Sequence, residues 1–257
     1  MLTKKILLGC AVLATAMACD NTTGPNGRQL GLSFAGVRPA GVAAGLGAMM
    51  ANAVGDSLSI TDGTNTLVIT RVEVVAREIE LRRVGVVSCD SISDDDDCEE
   101  FSIDARLIVL PLTAGATQVL AIDVPAGSYS EFEMEVHKVS DDDEDAAFLA
   151  ANPTWPMDAS LRVTGFYNGV PFTYVSDVNF EVEESLSPPL VVDAAVALNL
   201  TVRIDLTTWF RNGATGPLID PATAGPNGAN KSLVENNIQN SVKAFQDDDR
   251  DGDERDG

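Results

Sequence analysis

The chain has 257 residues, 45% hydrophobic and 5% aromatic, enough for one large or two small globular domains with an apolar core. Its formal net charge of −22 argues against nucleic acid as a partner, because phosphate binding requires clustered lysine and arginine. Acidic runs at 94–100, 141–145 and 247–256 are typical of a solvated, self-repelling surface. Binding of a divalent cation is the more specific alternative.

The first nineteen residues predict a bacterial lipoprotein signal. Two lysines precede an apolar stretch, residues 6–17, that is too short to span a bilayer. The small residues before Cys19 resemble a lipobox, with Ala16 where leucine is more common. The resemblance implies removal of residues 1–18 and a lipid on Cys19 that anchors the chain at the cell envelope, on a periplasmic or extracellular face. Ordinary secretion with a free Cys19 thiol is the alternative.

Residues 19–55 are rich in Gly, Ala, Asn and Pro and lack a sustained period, which predicts a flexible tether, with a short edge strand at Leu32-Ser-Phe34 as the alternative for that part. Residues 56–210 then show repeated two-residue alternation of apolar and polar side chains, which predicts a strand-rich domain. In the run 67–83 the apolar face changes near Ala76–Glu78. Such a change requires a bulge, and we expect one long strand that serves two sheets.

Cys89 and Cys98 are separated by eight residues, in a compartment that permits disulfides. We predict that they form a disulfide, since two thiols without a nearby histidine or further cysteine do not make a metal site. The loop between them carries consecutive carboxylates that are either simply solvated or a calcium site stabilised by disulfide closure: Asp94, Asp95, Asp96 and Asp97.

The stretch Val196–Leu206 has the clearest alternation in the chain, with an apolar residue at every second position. A period of two predicts a half-buried strand that anchors one sheet. The intervening residues, which include Asn199 and Thr201, are expected to face solvent. Earlier in the chain, Asn168-Gly169 between two β-prone runs predicts a type I′ hairpin.

Residues 211–246 are predicted to form a loop and one C-terminal helix at about 232–245, from apolar residues at helical spacing. Residues 247–257 are predicted to be a mobile acidic tail. Within this tail, Asp247, Asp249 and Asp251 followed by Gly252 match D-x-D-x-D-G, the start of a calcium loop. The twelfth position of such a loop, where a bidentate glutamate belongs, falls after residue 257.

His137, the single histidine, shares the predicted outward face of a strand with Glu131, Glu133 and Glu135. Same-face neighbours lie about 7 Å apart, too far for all four to bind one ion. We interpret the set as a solvated acidic stripe, with a metal or catalytic role as the alternative. Four aromatic residues are interpreted as core or rim packing, with a sugar-binding platform as the alternative: Trp155, Tyr167, Tyr174 and Trp209.

Four short motifs occur in an order that resembles the bacterial domain family of unknown function DUF4382. They are Ser59-Ile-Thr-Asp62, the strand-rich run 67–83, Leu107-Ile-Val-Leu-Pro-Leu112 and Val124-Pro-Ala-Gly-Ser-Tyr129. The resemblance covers roughly residues 56–206. It implies an extracytoplasmic β-sandwich, often found on lipoproteins, and it carries no catalytic residues to transfer.

We therefore predict an all-β fold, an Ig-like or transthyretin-like antiparallel β-sandwich of about 7–9 strands with one C-terminal helix. Nucleophile-elbow, zincin, phosphate-loop and dinucleotide fingerprints are absent from the sequence. The predicted function is a non-catalytic, lipid-anchored binding or structural module without a cofactor, calcium being the only ligand indicated. Its partners are the membrane and an envelope protein or polysaccharide. The alternatives are a carbohydrate-binding module and a glycosidase-type hydrolase with two carboxylates about 5–9 Å apart.

Overall fold

A computed structural model describes residues 27–37, 57–85, 98–101, 104–112, 115–193 and 198–252. These ranges contain two sheets packed as a sandwich, which confirms the predicted all-β sandwich. The described strands number twelve, more than the seven to nine predicted. They are β1 Gly27–Gly36, β2 Leu58–Thr61, β3 Thr66–Arg83, β4 Cys98–Phe101, β5 Arg106–Val109, β6 Thr117–Pro125, β7 Gly127–Val136, β8 Leu161–Tyr167, β9 Val170–Ser176, β10 Phe180–Val192, β11 Leu198–Ile204 and β12 Val242–Gln246. The α-helices are α1 Ala146–Ala151 and α2 Lys231–Gln239.

The larger sheet is organised around β3, in the order β10-β7-β3-β8-β9, with β2, β4 and β5 also paired to β3. The register of β3 shifts between Ile69 and Arg71 and again at Glu78, whose φ is +51°. Each shift restores the apolar side chains to the core face, so the predicted bulge is confirmed. The expectation that this strand serves two sheets is wrong, because the shifts keep one face inward along its length. The core-facing residues are Leu67, Ile69, Val72, Val74, Ala76, Ile79 and Leu81.

The smaller sheet has the order β12-β11-β1-β6, so β1 is an interior strand, parallel to β11 and antiparallel to β6. The predicted tether is therefore wrong for residues 27–36. Leu30, Leu32 and Phe34 alternate and are each 1% exposed. Their burial supplies the stabilisation that a Gly- and Ala-rich stretch otherwise lacks. The short edge strand expected as an alternative at Leu32-Ser-Phe34 is part of this ten-residue interior strand.

The C-terminal region contains a shorter helix than predicted, because α2 ends at Gln239 and β12 follows. The apolar residues after α2 fit both a helical and a strand period. Val242 and Phe245 are three positions apart, as in a helix, whereas Val242 and Ala244 are two positions apart, as in a strand. All three are buried, and β12 pairs antiparallel with β11. Pairing with the edge of β11 decided between two local conformations that the sequence pattern favours about equally.

The polar face of β11 is buried, contrary to the prediction that it faces solvent. Asn199 is 1% exposed and Thr201 is fully buried. Ser33 Oγ donates to Asn199 Oδ1 at 2.7 Å, and Asn199 Nδ2 donates to Thr201 Oγ1 and to the Asp247 carbonyl, each at 3.0 Å. Interior polar groups persist when they are hydrogen-bonded, and here the bonds join β1, β11 and the segment after β12.

The predicted hairpin at Asn168-Gly169 is confirmed. The two residues have φ of +51° and +81°, and they join β8 to β9 with Tyr167 paired to Val170. Asn168 Oδ1 also accepts a hydrogen bond from the Thr66 amide at 2.9 Å, which ties the turn to β3. No helix within the described ranges is long and apolar enough to cross a membrane.

Candidate functional site

The predicted calcium motif lies directly after β12, at one end of the smaller sheet. The Asp247 amide donates to the Asn199 carbonyl at 2.9 Å, which continues the β11–β12 pairing by one residue. The Gly252 amide donates to Asp247 Oδ2 at 3.1 Å and closes the loop, and the Ala116 amide donates to the Arg250 carbonyl at 3.2 Å. The start of the predicted tail is therefore hydrogen-bonded to the smaller sheet through Asp247 and to the residue before β6 through Arg250, while residues 248–251 remain exposed.

The structure brings together the three aspartates of the motif. One carboxylate oxygen of each of Asp247, Asp249 and Asp251 lies within 4.8 Å of the others. Asp249 and Asp251 are exposed, whereas Asp247 is 1% exposed. Its Oδ1 is buried and has no hydrogen-bond partner among the described residues. The loop is the one group of three or more carboxylates in the described ranges with the spacing of metal ligands.

Several predicted residues lie outside the described ranges: Cys19, Cys89, Asp94, Asp95, Asp96 and Asp97. The backbone of Cys98 begins β4 and pairs with Arg82 of β3. The second predicted calcium site and the predicted disulfide therefore stay predictions.

The outward face of the larger sheet carries a row of glutamates that continues across strands. Glu80 of β3 is paired in register with Glu133 of β7, and Glu133 with Glu183 of β10. Burial, together with hydrogen bonds to Glu131 and Glu80, raises the pKa of Glu133 to about 8. Like charges on directly paired strand positions repel, and retaining a proton on one carboxyl relieves that repulsion.

Two members of this row, Glu80 and Glu133, line a shallow depression of about 160 Å³. Its other lining residues are Glu78, Met134, Glu135 and Glu181. Alternation in the sequence of β7 predicted that its glutamates share one face. Which residues of β3 and β10 lie beside them in the depression depends on the register of strand pairing. The bulge at Glu78 sets the part of that register that pairs Glu80 with Glu133. The depression therefore brings together carboxylates from three strands.

His137 does not belong to a solvated stripe, and that interpretation is wrong. The residue follows the end of β7 and is 7% exposed. Its Nε2 lies 2.9 Å from both carboxylate oxygens of Asp145, a residue that is 1% exposed. The Ser140 amide donates to Asp145 Oδ2 at 2.7 Å. The segment after β7 thus brings a buried carboxylate against the ring, which is itself largely buried.

The ionised form of Asp145 is stabilised by its neighbours. Burial opposes its ionisation, yet the Ser140 amide and His137 together lower the pKa of Asp145 below its ordinary value. Arg77 lies beside this cluster and pairs with Glu135 and with Glu144, each at 3.0 Å. The arrangement fastens the 140–151 segment to the sheet. The sequence signal, acids spaced after a histidine, was present but did not show which acid the ring contacts.

The four aromatic residues singled out in the sequence do not form an open platform for a sugar. Trp155, Tyr174 and Trp209 are 6%, 2% and 1% exposed, and Tyr167 is half-buried. The indole of Trp155 donates to the Ala159 carbonyl at 3.0 Å, and that of Trp209 donates to Ser241 Oγ at 2.7 Å. The packing interpretation is confirmed for the three buried residues, and they offer no exposed ring face for stacking.

Comparisons with known proteins add little to these observations. No family model matches the chain, and no curated protein matches it. A solved structure, MbnP from Methylosinus trichosporium, is 13% identical over 86% of this chain and 99% of its own, with a TM-score of 0.42. A similarity of that size carries no conclusion about function. The resemblance to DUF4382 stays a prediction.

Proposed function

We propose that the protein is a non-catalytic β-sandwich module that a lipid on Cys19 holds at the bacterial cell envelope, where it binds or supports another envelope component. The observation that supports this proposal is the position of β1 in the interior of the smaller sheet. Gly27 begins an interior strand of the smaller sheet only eight positions after Cys19. An anchor at Cys19 is thereby connected almost directly to the core of the sandwich.

The reach of this connection follows from chain geometry. Eight residues span at most about 28 Å when fully extended. A lipid on Cys19 would therefore keep the sandwich close to the membrane surface, whereas the predicted 19–55 tether would have allowed a longer excursion. Partners within reach are envelope proteins or polysaccharides at the periplasmic or extracellular face of that membrane.

A disulfide between Cys89 and Cys98 is part of the same proposal. Cys98 is paired opposite Arg82, so the two ends of the segment that contains Cys89 are already held together by β3 and β4. Closing a loop of about ten residues would contribute about 2.7 kcal/mol by the chain-entropy relation. Peptide mapping without reduction is expected to recover both cysteines in one linked fragment, and two free thiols would contradict it.

The anchor is tested by extracting the mature protein with detergent and measuring its intact mass. We expect the mass of residues 19–257 plus at least one diacylglycerol, and membrane partition that Cys19→Ser abolishes. Cys19→Ser should melt at the same temperature as the anchored protein, because Cys19 precedes the first strand. A soluble wild-type product with a free Cys19 thiol would overturn the proposal.

A hydrolase of glycosidase type is the second candidate, and the glutamate depression is the observation in its favour. Glu133 retains a proton near neutral pH, as a general acid must, and it shares the depression with Glu78, Glu80, Glu135 and Glu181. The depression is shallow and open, which favours the first proposal. We expect no turnover of an envelope polysaccharide panel. Turnover that Glu133→Gln removes, with Asp123→Asn unaffected, would reverse that choice.

A further inference from the structure

We propose that Asp247, Asp249 and Asp251 bind one calcium ion, and that this ion fastens the C-terminal segment to the smaller sheet. The inference goes beyond the proposed function, because it holds whether or not Cys19 carries a lipid. It rests on two independent observations: the mutual distances of the carboxylates and the burial of an unpartnered oxygen.

The first observation is geometric. Oxygens bound to one calcium ion at about 2.4 Å can be no more than about 4.8 Å apart. One oxygen from each of the three aspartates meets this limit. Calcium takes six to eight oxygen ligands, so three carboxylates leave several positions for water. The exposed sides of Asp249 and Asp251 admit that water.

The second observation concerns Asp247. Its side chain is almost completely buried, Oδ2 accepts the Gly252 amide, and Oδ1 has no hydrogen-bond partner in the described structure. A buried carboxylate oxygen without a donor is costly, because burial removes the water that would otherwise solvate it. A cation shared with Asp249 and Asp251 would supply the missing interaction and offset the repulsion among the three charges.

The surroundings show what the ion would stabilise. The carbonyl of Asp247 accepts a hydrogen bond from Asn199, which is joined to Ser33 of β1, while Arg250 is bonded through its carbonyl to Ala116 next to β6. The loop is therefore bonded to β11 and to the residue before β6, and it is connected to β1 through the side chain of Asn199. An ion that binds the folded protein but not the unfolded chain would stabilise the whole sandwich by mass action.

Calcium is preferred over magnesium on chemical grounds. Magnesium demands a stricter octahedral shell and keeps its waters, whereas calcium accepts carboxylates in irregular arrangements. Extracellular-type sites bind calcium at about 10⁻⁴ to 10⁻³ M. With a dissociation constant of about 0.2 mM, 2 mM calcium would raise the ratio of folded to unfolded protein about elevenfold.

The test uses the full mature chain in detergent, at constant ionic strength. Equilibrium dialysis with calcium is expected to find one ion bound at this loop, and 2 mM calcium should raise the melting temperature more than 2 mM magnesium. Asp247→Asn and Asp249→Asn should each weaken binding at least tenfold. Asp249 is exposed, so its variant is informative even if Asp247→Asn folds poorly.

Asp248→Asn is the matched control, since it removes the same charge from an exposed neighbour outside the cluster and should bind calcium like the wild type. A variant with Asp94–Asp97 changed to Asn separates the second predicted site. Binding that survives Asp249→Asn and disappears in that loop variant would overturn the proposal. Equal effects of calcium and magnesium would also overturn it, because general screening acts alike for both ions.

Discussion

Replacement of Asn199 by alanine is expected to destabilise the sandwich strongly, although the sequence places this residue on a strand's polar face. Its side chain makes three buried hydrogen bonds, to Ser33, Thr201 and the Asp247 carbonyl. At about 1 kcal/mol for each bond, the loss is about 3 kcal/mol, and stranding the fully buried Ser33 hydroxyl adds to it. For a domain of this size, about 3 kcal/mol corresponds to a decrease in melting temperature of about 6–12 °C.

The assay is thermal and denaturant unfolding of Asn199→Ala beside Asn212→Ala, an exposed asparagine that should be nearly neutral. A double-mutant cycle with Ser33→Ala tests the network itself. The two changes share one hydrogen bond, so their effects should fall short of additivity by about 1 kcal/mol, whereas Asn199→Ala and Asn212→Ala should add. If Asn199→Ala melts within 2 °C of the wild type, the polar face of β11 is hydrated and the reasoning fails.

Three further predictions concern the sheets. The pKa of Glu133 is raised from 4.5 to about 8 in the folded state, so the native state binds an extra proton between these values and the free energy of unfolding should fall as pH rises through them. Because Glu133 is partly exposed and solvent screens its interactions, we expect a fall of about 1–2 kcal/mol. Urea midpoints measured across pH should show that Glu133→Gln removes this fall and that Asp123→Asn does not. Gly165→Ala should lower the free energy of unfolding by about 1–3 kcal/mol or more, because a Cβ at this position would lie 2.0 Å from the Val68 carbonyl oxygen. Gly225→Ala should be tolerated, since the space around Gly225 is open. Equal denaturation midpoints for the two variants would contradict the close approach at Gly165. Leu200→Asp and Thr201→Asp should both prevent cooperative thermal unfolding, since both side chains are fully buried, and a native-like melt of Thr201→Asp would show that this face is open.

The local periods of the chain were sufficient for the parts of the fold that depend on near neighbours. The alternation from Leu198 to Ile204 predicted the strand and its core face, Asn168-Gly169 predicted the hairpin, and the change of apolar face predicted the bulge at Glu78. Each of these features is set by backbone conformation and side-chain direction within a few residues. The aspartate spacing of the calcium motif is equally local and was visible without the structure.

Long-range pairing decided the rest. The register that places Glu80, Glu133 and Glu183 in one row joins residues up to about one hundred positions apart, and no local pattern contains that register. In the same way, β1 is a strand because β11 and β6 hydrogen-bond to both of its edges, and β12 is a strand because β11 offers it an edge. The sequence by itself determined where apolar and polar side chains alternate and which residue types follow one another. Only the tertiary structure decided which polar faces are buried, because burial depends on what packs against a face, and that surface comes from elsewhere in the chain.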